Sequence, residues 1–591
     1  MPGICGILQL GGPPDTAERV RRMTTCLVHD TSMHSQATHA EPACSAHLGW
    51  VWDVAFPENA ALRWDDAGKI CVLATGDDFS GRLSLLAARY AVDGIAALRE
   101  LNGDASGVIL DRRKGSVVLF NDRFGLGRIY WHRASGVLHF ASEARALLAV
   151  LPETRCIDER GLAETYTVGC TLQNRSLFQG IELLPPASAW TFHRDGRIER
   201  AQYFSPAEWE SQSPLEPAAY TEALIDLFPK ILPRYLRAGD GSAMSLTGGL
   251  DSRMVLAWAH AAPRSLPCYT FGGPLRDCAD VTLARRLARA TGQEHQTIRV
   301  GEEFFPSFTA LAERSVLLSD GTMDASGSIE VFCNARARGI SPRRITGNYG
   351  SEVLRANVAF RPTRLFSHLF QEEFQAELQR AAKTYEEERA GSRMTFILFK
   401  QVPWHHYSRR SLEANLLQPI SPFLDNDLAA LAYRCPASLE GSPQPLLELI
   451  DRGDERLRRV PTDRSLQLHR LGWVGRGVRR YCELTAKAEY AYDYGMPPAL
   501  TRIDRLLRPL QLERLFLGRH KFYHFRSWYR GVLTEQIRSM ANAFPSLPPP
   551  FRPDILRTVV YEHTSGRANH TLPIHRLIAS QITASRLLSQ S

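Results

Sequence analysis

Residues Ser245-Leu246-Thr247-Gly248-Gly249-Leu250-Asp251-Ser252 carry the sharpest chemical signal in the chain. The apolar run Ala243 to Leu246 predicts a short buried strand, and Met254 to Ala259 predicts a helix. A strand, a glycine turn and a helix N-terminus together make an anion cradle, because backbone N–H groups and the helix dipole both favour negative charge there. Thr247 and Ser252 add hydroxyl donors. Asp251 adds a carboxylate, which tolerates a bound phosphate only with a divalent cation between them. The pattern G-x-x-x-x-G-K-[ST] is absent, so this is not an ordinary P-loop. A Gly-Gly turn between strand and helix is common, so the cradle alone does not decide the matter.

The elements that must hold these residues follow from the surrounding pattern. At 591 residues, with 44% hydrophobic and 23% charged, the chain is an ordinary globular composition too long for one core. Residues 1–205 read as β-rich, with apolar or alternating runs at Gly6–Leu10, Ala46–Val51, Lys69–Leu73, Gly107–Leu110, Ser116–Phe120, Val137–Phe140 and Ala189–Phe192. They predict an antiparallel sheet-on-sheet domain. The polar stretch 206–217 reads as a linker. From 218 to 591 the text alternates helix and strand: a helix over Thr221–Leu236, strands at Ala243–Leu246, Cys268–Phe271 and Gln296–Val300, a helix over Val281–Thr291, and a further strand beginning at Ile345. That is a doubly wound parallel α/β pattern, whose ligands sit at the C-terminal strand ends. After about residue 363 the chain is mainly helical, with an extended Pro548-Pro549-Pro550 segment.

Composition also excludes. Eleven cysteines without a C-x-x-C pair indicate neither a zinc site nor a disulfide framework, and with no signal-peptide pattern they point to the reducing cytoplasm. No apolar run suffices to insert in a bilayer. A net charge of +8 is mild for this length and does not call for nucleic acid. Arg343-Arg344 and the run Arg456 to Arg459 read first as solvated charge. His405-His406 are neighbours and so point apart on any regular element, which argues against a metal pair.

Taken in order, the motifs resemble the asparagine synthetase superfamily, over nearly the whole chain. Thr247 to Ser252 resembles the S-G-G-x-D-S loop of ATP pyrophosphatases, which cleave ATP between the α- and β-phosphates. Upstream, Cys5-Gly6-Ile7, Leu101-Asn102-Gly103-Asp104, Asp122-Arg123-Phe124-Gly125 and Ala141-Ser142-Glu143-Ala144 resemble landmarks of the family's glutaminase domain, an Ntn-hydrolase-like fold. Downstream, Thr346-Gly347-Asn348-Tyr349-Gly350-Ser351-Glu352 resembles its second phosphate and magnesium loop, and Glu413-Ala414 with Pro422-Phe423-Leu424-Asp425 its E-A…P-F-L-D segment. The resemblance implies ATP and Mg2+ as cofactors. Asp251 and Glu352 would hold the metal. Ser245 through Ser252, with Gly347 and Gly350, would hold ATP and pyrophosphate, and Thr270 and Phe271 would line the adenine pocket, against the plainer reading of strand packing. Tyr349 resembles the tyrosine that β-lactam synthetase places between these glycines, with Glu413 as its partner; a phenol alone is a poor base and needs such a carboxylate. The alternative is a tyrosine packed over the nucleotide. A charge-stabilising cation is also implied, for which Arg464, Lys487 and Lys521 are the candidates.

The upstream half departs from the pattern. Glutamine-using members begin with cysteine, whose α-amine is the general base. Cys5 lies behind four residues, and its nitrogen is an amide. Val28-His29-Asp30-Thr31 stands where R-G-P-D is expected, and Thr75-Gly76-Asp77 replaces the Asn-Gly oxyanion element. An inactive, vestigial glutaminase is therefore expected, with Cys5 a small core residue. Two amide-forming readings remain. One is a glutamine-independent ligase that adenylates a small-molecule or peptide acid, of which lasso-peptide macrolactam formation is an instance; its partners would be a precursor peptide, a leader-binding protein and a protease. The other is a glutamine-hydrolysing asparagine synthetase or a relative amidating a sugar or natural product. A non-catalytic binding descendant is the third class. A homodimer is compatible with all three.

Overall fold

The structure is a computed structural model and describes residues 3–9, 15–57, 62–238, 241–462, 472–495 and 512–589. Twelve described strands precede residue 205: β1 (Gly3–Leu8), β2 (His34–Glu41), β3 (Ala46–Asp53), β4 (Leu62–Trp64), β5 (Ile70–Thr75), β6 (Ser106–Asp111), β7 (Ser116–Phe120), β8 (Tyr130–Ala134), β9 (Val137–Ala141), β10 (Glu182–Leu183), β11 (Ser188–Phe192) and β12 (Ile198–Gln202). They form two antiparallel sheets, ordered β10-β8-β9-β1-β3-β2 and β12-β11-β7-β6-β5-β4. Ile4 and Leu8 meet Leu73, Leu110 and Leu119 of the facing sheet. Cys5 and Ile7, one residue out of phase, meet Val20, Met23 and Leu27 of the helix Thr16–Leu27. On the other sheet Val72 and Ala74 meet Leu86 and Tyr90 of the helix Leu86–Asp93. The domain is thus a sandwich with a helix layer on each outer face. Strands covered on both sides read as continuous apolar runs rather than as alternation.

The second half holds a parallel sheet of β13 (Ala243–Ser245), β14 (Cys268–Gly272), β15 (His295–Arg299), β16 (Arg343–Ile345) and β17 (Gln418–Ile420), ordered β15-β14-β13-β16-β17. The chain adds β14 and β15 on one side of β13, then β16 and β17 on the other. The order reverses between β13 and β16, which is where an open α/β sheet leaves a crevice at its C-terminal edge. Helices cover both faces: Met244 packs among Leu232 and Val255, and Ala243 among Leu318, Val331 and Leu412.

Several expectations shift. β1 begins at Gly3, three residues before the expected Gly6. The strand expected to begin at Ile345 ends there instead, since Arg343 and Arg344 pair with Gln418 and Pro419. The stretch 206–217 is not a loose tether: Trp209 is buried, its ring 4.6 Å from Phe204 and 5.6 Å from Tyr433.

The two halves meet over a polar seam. Asn102 Nδ2 donates to Asp425 Oδ2 at 2.7 Å, and Asn426 N donates to Asn102 Oδ1 at 3.1 Å. Arg338 holds both Asp53 oxygens at 2.7 and 2.8 Å. Asp320 accepts from Ala144 N and Arg145 N at 3.0 and 3.1 Å. The L-N-G-D, S-E-A and P-F-L-D motifs are therefore seam builders, each tying one half to the other.

Candidate active site

The loops after β13 and β16 lie against each other at the crevice. A Cβ on Gly347 would stand 2.5 Å from Ser252 N, and one on Gly350 2.7 Å from Asp251 Cβ and Cγ. Neither position can carry a side chain without parting the loops. Within the first loop, Ser252 Oγ accepts from Thr247 N at 3.1 Å and lies 3.2 Å from Thr247 Oγ1. The Gly248 N–H, expected to face pyrophosphate, donates to Asp280 Oδ1 at 2.9 Å, and Gly249 N donates to Thr247 Oγ1 at 3.3 Å. The cradle holds its own amides in place with side-chain oxygens that an incoming phosphate would displace. Arg253, fully buried, donates to Gly248 O at 3.0 Å and Pro461 O at 2.9 Å, pinning the segment 457–461 to the loop. Sequence reasoning passed over Asp280, and it gave Arg253 no structural role of its own. Arg253 was legible in principle, as an arginine inside the apolar-periodic helix Asp251–Ala259.

Between the loops and the helix Tyr407–Ala414 lies a cavity of about 290 Å³, lined by Ser245, Thr247, Gly249, Asp251, Ser252 and Glu352 among others. Asp251 Oδ1 is buried and accepts no hydrogen bond, and Arg355 approaches only to 3.7 Å. Burial raises the Asp251 carboxyl to about 6, with nearby Glu352 adding to the rise and Arg355 opposing it. Glu352 accepts from Ser351 Oγ at 3.2 Å, and His406 Nε2 lies 3.5 Å from it. Two converging carboxylates, one with an orphaned buried oxygen, are a donor set that fits a hard divalent cation shared with phosphate oxygens. His405 turns away and stacks on Phe360 at 4.7 Å.

The remaining expected residues divide. Tyr349 lines the cavity in the left-handed region at φ 70°, and its ring meets His406 edge-on at 5.7 Å. Burial, with Glu413 and Glu352 adding to it, pushes the phenol further above its ordinary value. Its hydroxyl makes no hydrogen bond among the described residues. Glu413 instead accepts from Asn348 Nδ2 at 3.2 Å and pairs with Arg344 at 2.9 Å, so the expected phenol–carboxylate relay is not formed. Ser245 Oγ accepts from Arg344 at 2.9 Å. Leu246 and Leu250 are core. Thr270 is spent on Leu246 O at 2.6 Å and His295 at 2.9 Å, the strand-packing role. Phe271 packs 6.0 Å from Phe522. Lys521 lies outside the cavity. It is buried, with Nζ 2.6 Å from Asp493 and over the rings of Tyr490, Tyr494 and Tyr523. Lys487 is exposed on the helix Gly472–Tyr490 and is also outside the cavity. Arg464 lies outside the described residues.

In the upstream half, Cys5 sits mid-strand, paired with Gly49 and Ala141, and is fully buried. Its Sγ contacts Thr24 Oγ1 at 3.4 Å, and burial pushes the thiol up to about 12. That is the opposite of an activated nucleophile. A second, smaller cavity of about 70 Å³ lies at the seam, lined by Thr75, Gly76, Asp77 and Asp104. Arg410, from the helix Tyr407–Ala414, enters it and pairs with Asp104, while Gln418 donates to Asp77. Arg410 lines both cavities and separates them.

The family model for a glutamine amidotransferase domain matches residues 82–204, and that for asparagine synthase matches residues 226–445. The chain belongs to the asparagine synthetase superfamily. Among curated relatives, asparagine synthetase [glutamine-hydrolyzing] 3 of Bacillus subtilis is 26% identical over 163 residues, 27% of this chain and 26% of that protein. Asparagine synthetase [glutamine-hydrolyzing] 1 of the same organism is 23% identical over 174 residues, 29% of this chain and 27% of that one. Amidase chyE of Penicillium rubens is 22% identical over 298 residues, 47% and 43% of the two chains. The matches thus span between about a quarter and under half of the relatives' own lengths. In this superfamily member the asparagine synthase match contains both crevice loops and the helix carrying Arg410 and Glu413. Among the described residues no helix is long and apolar enough to cross a membrane.

Proposed function

We propose that the chain is an ATP-dependent, AMP- and pyrophosphate-forming amide ligase. A substrate carboxylate oxygen attacks the α-phosphorus, pyrophosphate leaves, and an amine nitrogen then displaces AMP from the acyl carbon and sheds a proton. The observation that carries this reading is the pair of opposed loops at the reversal of strand order, with Asp251 and Glu352 converging in one cavity. Asp251 and Glu352 would hold magnesium, which neutralises triphosphate charge. Thr247 and Ser252 offer hydroxyls to the leaving phosphates. Gly347 and Gly350 permit the loops to close on them. Tyr349, neutral and with its hydroxyl unpaired among the described residues, serves as a hydrogen-bond donor to the substrate rather than as a base.

The reading extends to independence from glutamine. A thiol buried mid-strand and an Arg410–Asp104 pair filling the seam cavity both favour an amine supplied by the substrate itself or by a second molecule. Macrolactam closure of a peptide belongs to that class. The glutamine amidotransferase match favours the rival reading, in which glutamine supplies ammonia. Pyrophosphate release is measured with ATP and candidate acids, each with glutamine, with ammonium or with an amine. Amide formation from an amine, unaffected by glutamine, is the expected result. Glutamate release coupled to amide formation selects the rival, and no pyrophosphate release from any acid removes the ligase reading.

A further inference from the structure

A cavity of about 310 Å³ lies away from both sites described above, between the helix Glu159–Val168 and the C-terminal residues 547–551 and 576–588. Its volume is in the range of small-molecule pockets. Leu162, Leu177, Leu547, Phe551 and Leu588 make its walls apolar. Four structural features converge on it. Thr583 is 3% exposed, lines the cavity, and its Oγ1 has no hydrogen-bond partner among the described residues. The backbone there is a π-helix, Thr583–Leu588, a rare form concentrated at functional sites. Pro548-Pro549-Pro550 forms another wall and offers no N–H. Gly321, at φ 81°, faces the same hydroxyl: a Cβ there would stand 2.8 Å from Thr583 Oγ1.

The mouth supplies a charge. Arg155 lines the cavity and spends Nε on Leu148 O at 2.8 Å, leaving its two terminal nitrogens without a hydrogen-bond partner among the described residues. Arg576, by contrast, is engaged by Thr322 O and Asp324. Glu159, also at the mouth, is exposed. An apolar chamber with one guanidinium at its entrance and one unpaired buried hydroxyl matches an amphiphile with a single anionic head.

We infer that this chamber is a binding site for a medium-chain carboxylic acid, with the chain among the leucines and the carboxylate on Arg155. The site joins the upstream half to the C-terminal helices, so its occupant would tie the two together.

Titration calorimetry of the full chain with dodecanoate at pH 8, below its micellar concentration, tests this. One saturable site per chain is expected. Octanoate, four methylenes shorter, is expected to bind at least a hundredfold more weakly. Arg155→Gln should weaken dodecanoate about tenfold, and Ala584→Trp, which fills the chamber, should abolish binding while thermal unfolding stays cooperative. If Ala584→Trp does not fold, Arg155→Gln decides alone. No saturable binding, equal binding of dodecyltrimethylammonium, or an unchanged affinity in Arg155→Gln overturns the inference.

Discussion

Asp320 is 2% exposed, at φ 50°, and its carboxylate caps the turn at Ala144 and Arg145 across the seam. Burial, with Glu143 adding to it, raises its carboxyl to about 7. A carboxyl raised in the folded state binds its proton more tightly there than when unfolded. Its contribution to stability is therefore full below about pH 4 and is lost as pH rises through 7. Subtracting the urea-denaturation pH profile of Asp320→Asn from that of the parent should isolate a fall of a few kcal/mol between pH 4 and 7; identical profiles would remove this account. At the crevice, Asp251→Asn and Glu352→Gln should each abolish pyrophosphate release while leaving the folded state intact by circular dichroism. Tyr349→Phe separates two roles. Loss of a general base costs about 10²–10⁴-fold in amide formation, whereas loss of one substrate hydrogen bond costs about tenfold or less. The unpaired, raised phenol places the expected loss in the smaller range, read from single-turnover amide formation after adenylation.

Among the elements, the loops after β13 and β16 are the most constrained. Gly347→Ala would drive a methyl against the backbone nitrogen of Ser252, whereas Gly350→Ala meets the Asp251 side chain. A side chain yields more readily than backbone, so Gly347→Ala should lose more nucleotide affinity, measured by calorimetry with a non-hydrolysable ATP analogue and Mg2+. Arg253→Met should cost about 1–3 kcal/mol for each buried carbonyl it leaves without a donor. Strands of the first half were legible in the sequence because apolar runs such as Ser116–Phe120 are buried on both faces. β2 was not: His34–Glu41 holds alanine as its only apolar residue, at 37 and 40, and gains its place by pairing along β3. β17, Gln418–Ile420, contains a proline and is held by its register on β16. The crevice loops were legible because phosphate chemistry restricts residue type locally. Asp280, Arg410 and the engagement of Glu413 with Arg344 were not, since each joins residues far apart in the chain and no local pattern marks such a pair.

Across the whole molecule, one short helix serves two chambers. Tyr407–Ala414 sends Glu413 to the crevice and Arg410 into both cavities. Arg410→Ala should let small solutes pass at the seam, seen as faster hydrogen exchange at the Gly76 and Asp77 amides. The seam has a further consequence for inheritance. Asp425 is fully buried beneath Asn102, and Trp209 fills a pocket built by residues from both sides. Deleting the first 205 residues would take Asn102 from that carboxylate, leaving it to Arg234 and Tyr235, and would open an oily face to water. Selection can thus hold the first half in place through packing alone, apart from any chemistry it performs.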